Sequence, residues 1–183
     1  AGGSIAPGNS IGTINIAGNV DFTGGGNYDV EVDAAGNSDK IEATGTATLT
    51  SGIVNVQPES GDYAISTDYT ILTAAGGLGG TTFASVNSSL AFLTTTLTYD
   101  ANNVYLNLQR NSVDYGSVAN TSNQLAVATV VGDNAAALQA INNDLLVLTN
   151  PGAQKAFDSL SGVQHTQGAA AITGAAQQFQ QLL

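Results

Sequence analysis

Between residues 11 and 108 apolar and polar positions alternate in short runs. Ile14/Ile16, Val20/Phe22, Tyr28/Val30/Val32, Ala47/Leu49, Val54/Val56, Tyr69/Ile71, Leu97/Tyr99 and Val104/Leu106/Leu108 all keep a period of two, the repeat of a strand with one buried face. The runs are separated by AGN, TGGGN, AAGNSD, TSG, ESGD, AAGGLGG and DANN. Gly and Asn gather there because corners between stacked strands need residues that tolerate positive φ. The tight-hairpin dipeptides Asn-Gly and Asp-Gly are absent, so the pattern favours parallel strands stacked as a β-helix over an antiparallel barrel for residues 1–110. The last pair differs. In TLTYDANNVYLNL the residues Asp100 to Asn103 suit a tight turn, which predicts a hairpin capping the stack. Alternation then places Leu106 over the last rung and Asn107 in water, where Asn107→Asp is expected to cost little.

Beyond Arg110 the period changes. Residues 111–120, NSVDYGSVAN, read as a linker, and residues 121–183 as an α-helical segment. Thr121 to Gln124 forms a capping box ahead of LAVATVV. Asp133 reads as the N-cap of a second helix carrying Leu138, Ile141, Leu145 and Leu148, and Asn150-Pro151 as cap and first position of a third, ended by Gly162. A final amphipathic stretch carries Ala169, Ile172, Ala175, Ala176, Phe179, Leu182 and Leu183. These helices are expected to be marginal in isolation, because packing rather than propensity stabilises most helices.

Composition narrows the function classes. Three Lys/Arg stand against 14 Asp/Glu, for a net charge of −11. Ten acids against two bases up to residue 110 leave −8 there, and four against one leave −3 beyond it. With cations only at Lys40, Arg110 and Lys155 there is no basic patch for phosphates, which argues against nucleic acid and anionic membrane as partners. No Cys is present, which excludes disulfides and thiolate metal sites. The opening AGGSIAPG has neither the basic nor the apolar region of a signal peptide, and the chain reads as an internal piece of a longer protein.

Four short patterns carry candidate chemistry. Gly8-Asn9-Ser10-Ile11-Gly12 matches the G-x-S-x-G nucleophile elbow, which needs a strand, a sharp turn and a helix; here a period-two strand follows Ser10, and the one imidazole, His165, lies far along the chain. Asp29, Glu31 and Asp33, with Gly36, Asn37 and Asp39, supply oxygen ligands of the kind calcium takes, but their alternation with Tyr28, Val30 and Val32 makes them the wet face of a strand. Lys40 and Arg110 are thin material for a polysaccharide lyase, which needs a base and a polyanion site. Gly76-Gly77-Leu78-Gly79-Gly80 lacks the GK[ST] of a phosphate loop and reads as a corner. No catalytic, cofactor-binding or metal residue is therefore expected, and the chain is not expected to be an enzyme.

SIAPGNSIGTINIAGNV, YDVEVDAAGNSDKIEATGTATL, YTILTA, FLTTTLTYDANNVYLNLQRN and FDSLSGVQH, in this order, resemble the carboxyl-terminal passenger region of a monomeric autotransporter of Gram-negative bacteria. The resemblance implies a mainly β fold: the last rungs of a right-handed parallel β-helix, with an autochaperone region up to about residue 110, then a helical linker leading to a translocator barrel beyond Leu183. It also implies export through the periplasm to the cell surface, with the upstream passenger and the barrel as partners. Under it Ser10 is a rung turn. A different class of function, adhesion or self-association, would use the Thr/Asn-rich face of Thr94, Thr95, Thr96, Asn102, Asn103 and Asn107.

Overall fold

The computed structural model describes residues 2–162, a mainly sheet structure followed by three helices. The first two passes of the chain run through the same three sheets, and later strands extend two of them. β1 (Ser4–Ile5), β2 (Thr13–Ile16) and β3 (Val20–Asp21) form the first pass; β4 (Gly26–Val32), β5 (Lys40–Ala43) and β6 (Ala47–Thr48) form the second. β7 (Gly52–Pro58), β8 (Ser66–Ala74) and β9 (Ser85–Asn87) extend the stack. One sheet runs β1-β4-β7-β9, a second contains β2-β5-β8 and a third is β3-β6, all paired in parallel.

Register stacks like on like. Tyr28 lies beside Val54 and Val54 beside Val86, while Ile14 lies beside Ile41 and Ile41 beside Leu72. The alternating apolar positions thus become columns, and Tyr28, Val30, Val32, Ile41, Val54, Ile71 and Leu72 are buried in one core. Ile14 and Ile16 are only half-buried, since β2 ends its sheet and has nothing stacked on its outer side among the described residues. Phe22 and Phe83 meet edge to face, 5.2 Å between centroids, across Gly52. A Cβ at Gly52 would lie 2.9 Å from each of these side chains, so only glycine lets the rings close over the strand between them.

After β9 the chain reverses. β10 (Leu93–Tyr99) and β11 (Asn103–Arg110) form an antiparallel hairpin, and β11 pairs antiparallel with β8. Val104, Leu106 and Leu108 are buried, as their alternation predicts, while Leu97 and Tyr99 are half-buried. One departure is a bulge: Val104 pairs with Leu72 and Tyr105 with Thr70, leaving Ile71 unopposed. The extra residue shifts the phase of β8, so Ile71 and Leu72 are both buried. Period-two reading has no means of anticipating that. The corner Gly76–Gly80 uses positive φ at Gly77, Gly79 and Gly80, while Leu78 between them plugs the core.

Residues 111–120 are not bare connection. They hold a 3₁₀ turn, Tyr115–Val118, with Tyr115 buried. Helices α1 (Ser122–Asp133), α2 (Gln139–Leu146) and α3 (Asn150–Leu160) follow. Thr121 caps α1 by accepting the Gln124 N–H at 3.2 Å, but the Gln124 side chain returns to the Asn120 N–H rather than to that of Thr121. Asp133 ends α1 instead of capping α2, whose cap position is Leu138 without a side-chain bond. Thr149, not Asn150, caps α3 through the Gly152 N–H, with Pro151 in the first turn and Gly162 at φ +72° just beyond. Ala128, Val131, Leu145, Ala153 and Phe157 join the same core as the strands. The final amphipathic stretch, including His165, lies outside the described residues.

Candidate functional site

Among the described residues, the sequence candidates sit in turns and on strands. Ser10 lies on an exposed bend leading into β2, with no helix behind it. The turn is held from elsewhere: Asp39, buried, accepts the Gly12 N–H at 2.8 Å on Oδ1 and the Glu31 N–H at 3.0 Å on Oδ2. One carboxylate thereby ties the first pass to the second. Asp33 caps its own turn by accepting the backbone N–H groups of Ala35 and Asn37 and the Asn37 amide. Burial opposes ionisation of Asp33, but the donors of Asn37, Ala35 and Gly36 outweigh it and hold its carboxyl below the ordinary value. Asp29 accepts from Ser4 Oγ and from Asn55 Nδ2, and Asn87 donates in turn to Asn55 Oδ1, making a polar ladder across successive strands. Glu31 is half-buried rather than fully wet. Among the described residues no three His, Cys, Asp or Glu side chains are grouped to hold a metal ion.

Two of the three cations are likewise engaged. Lys40 pairs with Glu42 at 2.6 Å. Arg110, at the end of β11, donates from one guanidinium nitrogen to the Phe92 and Asn111 carbonyls and to Asn111 Oδ1, and from the other to the Val113 carbonyl, at 2.9–3.0 Å. Its plane also lies over the rings of Phe92 and Tyr115, 5.4 and 5.0 Å to the centroids, and those rings meet edge to face at 4.7 Å. A planar, permanently charged fork suits carbonyl acceptors and aromatic faces together. The result is a clasp joining the hairpin, the segment before it and the 3₁₀ turn. The sequence marks Arg110 as a strand end and as thin material for a lyase; the carbonyls it gathers leave no mark in residue types.

The two ends of the stack are unlike. At one end β1, β2 and β3 are each the terminal strand of a sheet. At the other the parallel succession stops at the hairpin, and the helices attach beside it through the Ala91 N–H to Leu148 carbonyl bond and the Leu90–Thr149 bridge. Buried tyrosines lace the passes across the interior: Tyr28 donates to the Ile71 carbonyl at 2.6 Å, Tyr69 to the Asp33 carbonyl at 2.7 Å and Tyr63 to the Val32 carbonyl at 2.9 Å. Burial pushes the Tyr69 hydroxyl up to about 12, and the Tyr28 hydroxyl higher still. These groups act as neutral donors, not as bases.

Of the Thr/Asn face, Asn102 donates to the Ala74 carbonyl, Asn103 joins Thr73 and Asp100, and Asn107 donates to Ser66 Oγ and Asp68 Oδ1. Its amides are committed within the molecule. No helix among the described residues is long and apolar enough to cross a membrane.

No protein-family model matches the chain. It is similar to two proteins of Serratia marcescens, each called an extracellular serine protease. One is 39% identical over 138 residues, covering 70% of this chain and 13% of the relative; the other is 31% identical over 133 residues, covering 68% and 12%. The chain spans about an eighth of the length of the curated relatives it matches. Over most of its length, then, this chain is homologous to one short stretch of the extracellular serine proteases of Serratia marcescens.

Proposed function

We propose that the chain is the carboxyl-terminal passenger region of an autotransporter, with residues 1–110 forming the last rungs of a right-handed parallel β-helix, and that it acts as a non-catalytic folding module at the cell surface. The asymmetry of the stack carries this reading: three terminal strands at one end, a reversed hairpin clasped to helices at the other. Growth of a stacked fold is limited by its first unit, and a preformed end removes that step for segments laid on it. Kinship to a short stretch of extracellular proteins supports a piece of a passenger rather than a free-standing enzyme. The protease activity in the relatives' name is assigned to other parts of such a protein, since Ser10 sits on a bend held by Asp39. The upstream passenger and a downstream translocator barrel are the partners this role requires.

Deleting residues 40–108 from the parent protein tests the proposal. The expected result is an inserted barrel with a passenger that is undisplayed or protease-sensitive. Normal display of a protease-resistant passenger would overturn it.

A further inference from the structure

Helices α1, α2 and α3 leave an apolar groove of about 340 Å³ between them, lined by Val127, Val130, Val131, Leu138, Ile141 and Leu160. Val130 is 57% exposed and Leu160 48% exposed, among the largest exposures of any big apolar side chain described. No charged side chain lines the groove. An exposed apolar groove without charge is a surface on which another apolar segment can dock.

We propose that the groove is the docking site of residues 163–183 of the same chain. Leu160, in the last turn of α3, forms part of the groove wall, and Gly162 turns the backbone immediately after it. The described chain thus ends at the rim of the groove. The 21 residues that follow contain no Asp, Glu, Lys or Arg, and Ala169, Ile172, Ala176, Phe179 and Leu183 recur at steps of three and four. That spacing presents one apolar stripe, the form in which a helix fills a groove between helices. An uncharged stripe and an uncharged groove match each other, whereas a charged partner would find no counter-charge there. A tether of a few residues gives an effective concentration on the order of millimolar, so the intramolecular occupant prevails over a second copy in dilute solution. The inference does not depend on the autotransporter reading and is tested on this chain alone.

The absence of cysteine allows a clean cross-linking experiment. Val130→Cys is combined with Ile172→Cys in one full-length variant and with Phe179→Cys in another; Thr50→Cys, exposed on the strand part, is combined with Phe179→Cys as control. At micromolar protein and under mild oxidation, at least one Val130 pair is expected to close within the monomer at least tenfold faster than the control. Hydrogen exchange supplies a second measurement free of thiol geometry. Ile172→Asp with Phe179→Asp is expected to speed exchange over residues 126–141 about tenfold and to leave β8 and β11 unchanged, while Gln177→Asp with Gln181→Asp changes neither. Control-level closure for both pairs, disulfides formed only between molecules, or unchanged exchange in the Ile172/Phe179 variant would each overturn the proposal.

Discussion

At the scale of single residues the hairpin is decided by contrasts between neighbours. Leu106 is fully buried, so Leu106→Asp forfeits about 2 kcal/mol of apolar burial and strands a carboxylate in the core. The total of several kcal/mol is a large share of the roughly 5–15 kcal/mol that holds a domain together, and rapid proteolysis of the purified chain is the expected outcome. Asn107 was expected from alternation to be indifferent to Asp. Its amide instead donates to Asp68 at 2.8 Å, so Asn107→Asp replaces a donor with a like charge. It should lower the melting temperature modestly at low salt and less at high salt, the screening being the check. The turn supplies a second test. Asp100 receives the Asn103 amide, the Asn102 and Asn103 N–H groups and the Tyr105 hydroxyl, and these donors, Asn103 first, hold its carboxyl well below the ordinary range. A lowered folded pKa means stabilisation that is complete above the unfolded value, about 3.9, and is lost as pH falls through the folded one. The gap in melting temperature between the wild type and Asp100→Ala should therefore be constant from neutral pH to about 5 and shrink below about 4. A gap unchanged at pH 2.5 would count against the turn carboxylate as its source.

At the scale of elements, legibility followed the range of the interaction that fixes each feature. Strands such as β4 and β7 were readable because burial of one face writes a period of two into the sequence. The bulge was not, since which residue of Tyr69-Thr70-Ile71-Leu72 goes unopposed depends on β11, more than 30 residues away. Helix positions were readable from their apolar spacing and their ends less so: Thr149 and Asn150 are both good caps, and tertiary contact with Leu90 selects Thr149. At the candidate site, the strand after Ser10 was legible because Ile14 and Ile16 keep a period of two. The Arg110 clasp was not legible, its acceptors being backbone carbonyls. That clasp makes the helices an annex of the hairpin rather than a separate unit. Arg110→Lys keeps the charge but loses the fork that reaches Phe92, Asn111 and Val113 at once. Hydrogen exchange over residues 113–133 should accelerate several-fold in that variant while β4 and β7 stay slow. Uniform acceleration of strands and helices would mean that the clasp supports the whole fold and not the junction.

At the scale of the whole molecule, the stack has a direction, and its stability should have one too. β8 lies between β5 and β11, with both edges bonded and Ile71, Leu72 and Ala74 buried. β2 has one neighbour and two half-buried isoleucines, and β1 and β3 are two-residue strands at the ends of their sheets. Where strands stack pass on pass, each pass is stabilised by its own burial and by the interfaces it shares, so a terminal pass with one interface opens before a central pass with two. Amides of residues 4–21 should accordingly exchange at least tenfold faster than those of β8 and β11 in the isolated chain. Asp39 sets how far the first pass lags, because its two oxygens bind Gly12 on that pass and Glu31 on the next. Asp39→Asn keeps the shape but turns one acceptor into a donor facing an N–H, a loss of about 1–3 kcal/mol at a buried site. That substitution should speed exchange over residues 10–16 more than tenfold and leave β11 untouched. Equal protection of the first pass and of β8, or equal response of both to Asp39→Asn, would show that the sheets melt as one block, and a preformed end that grows by addition would lose its physical basis.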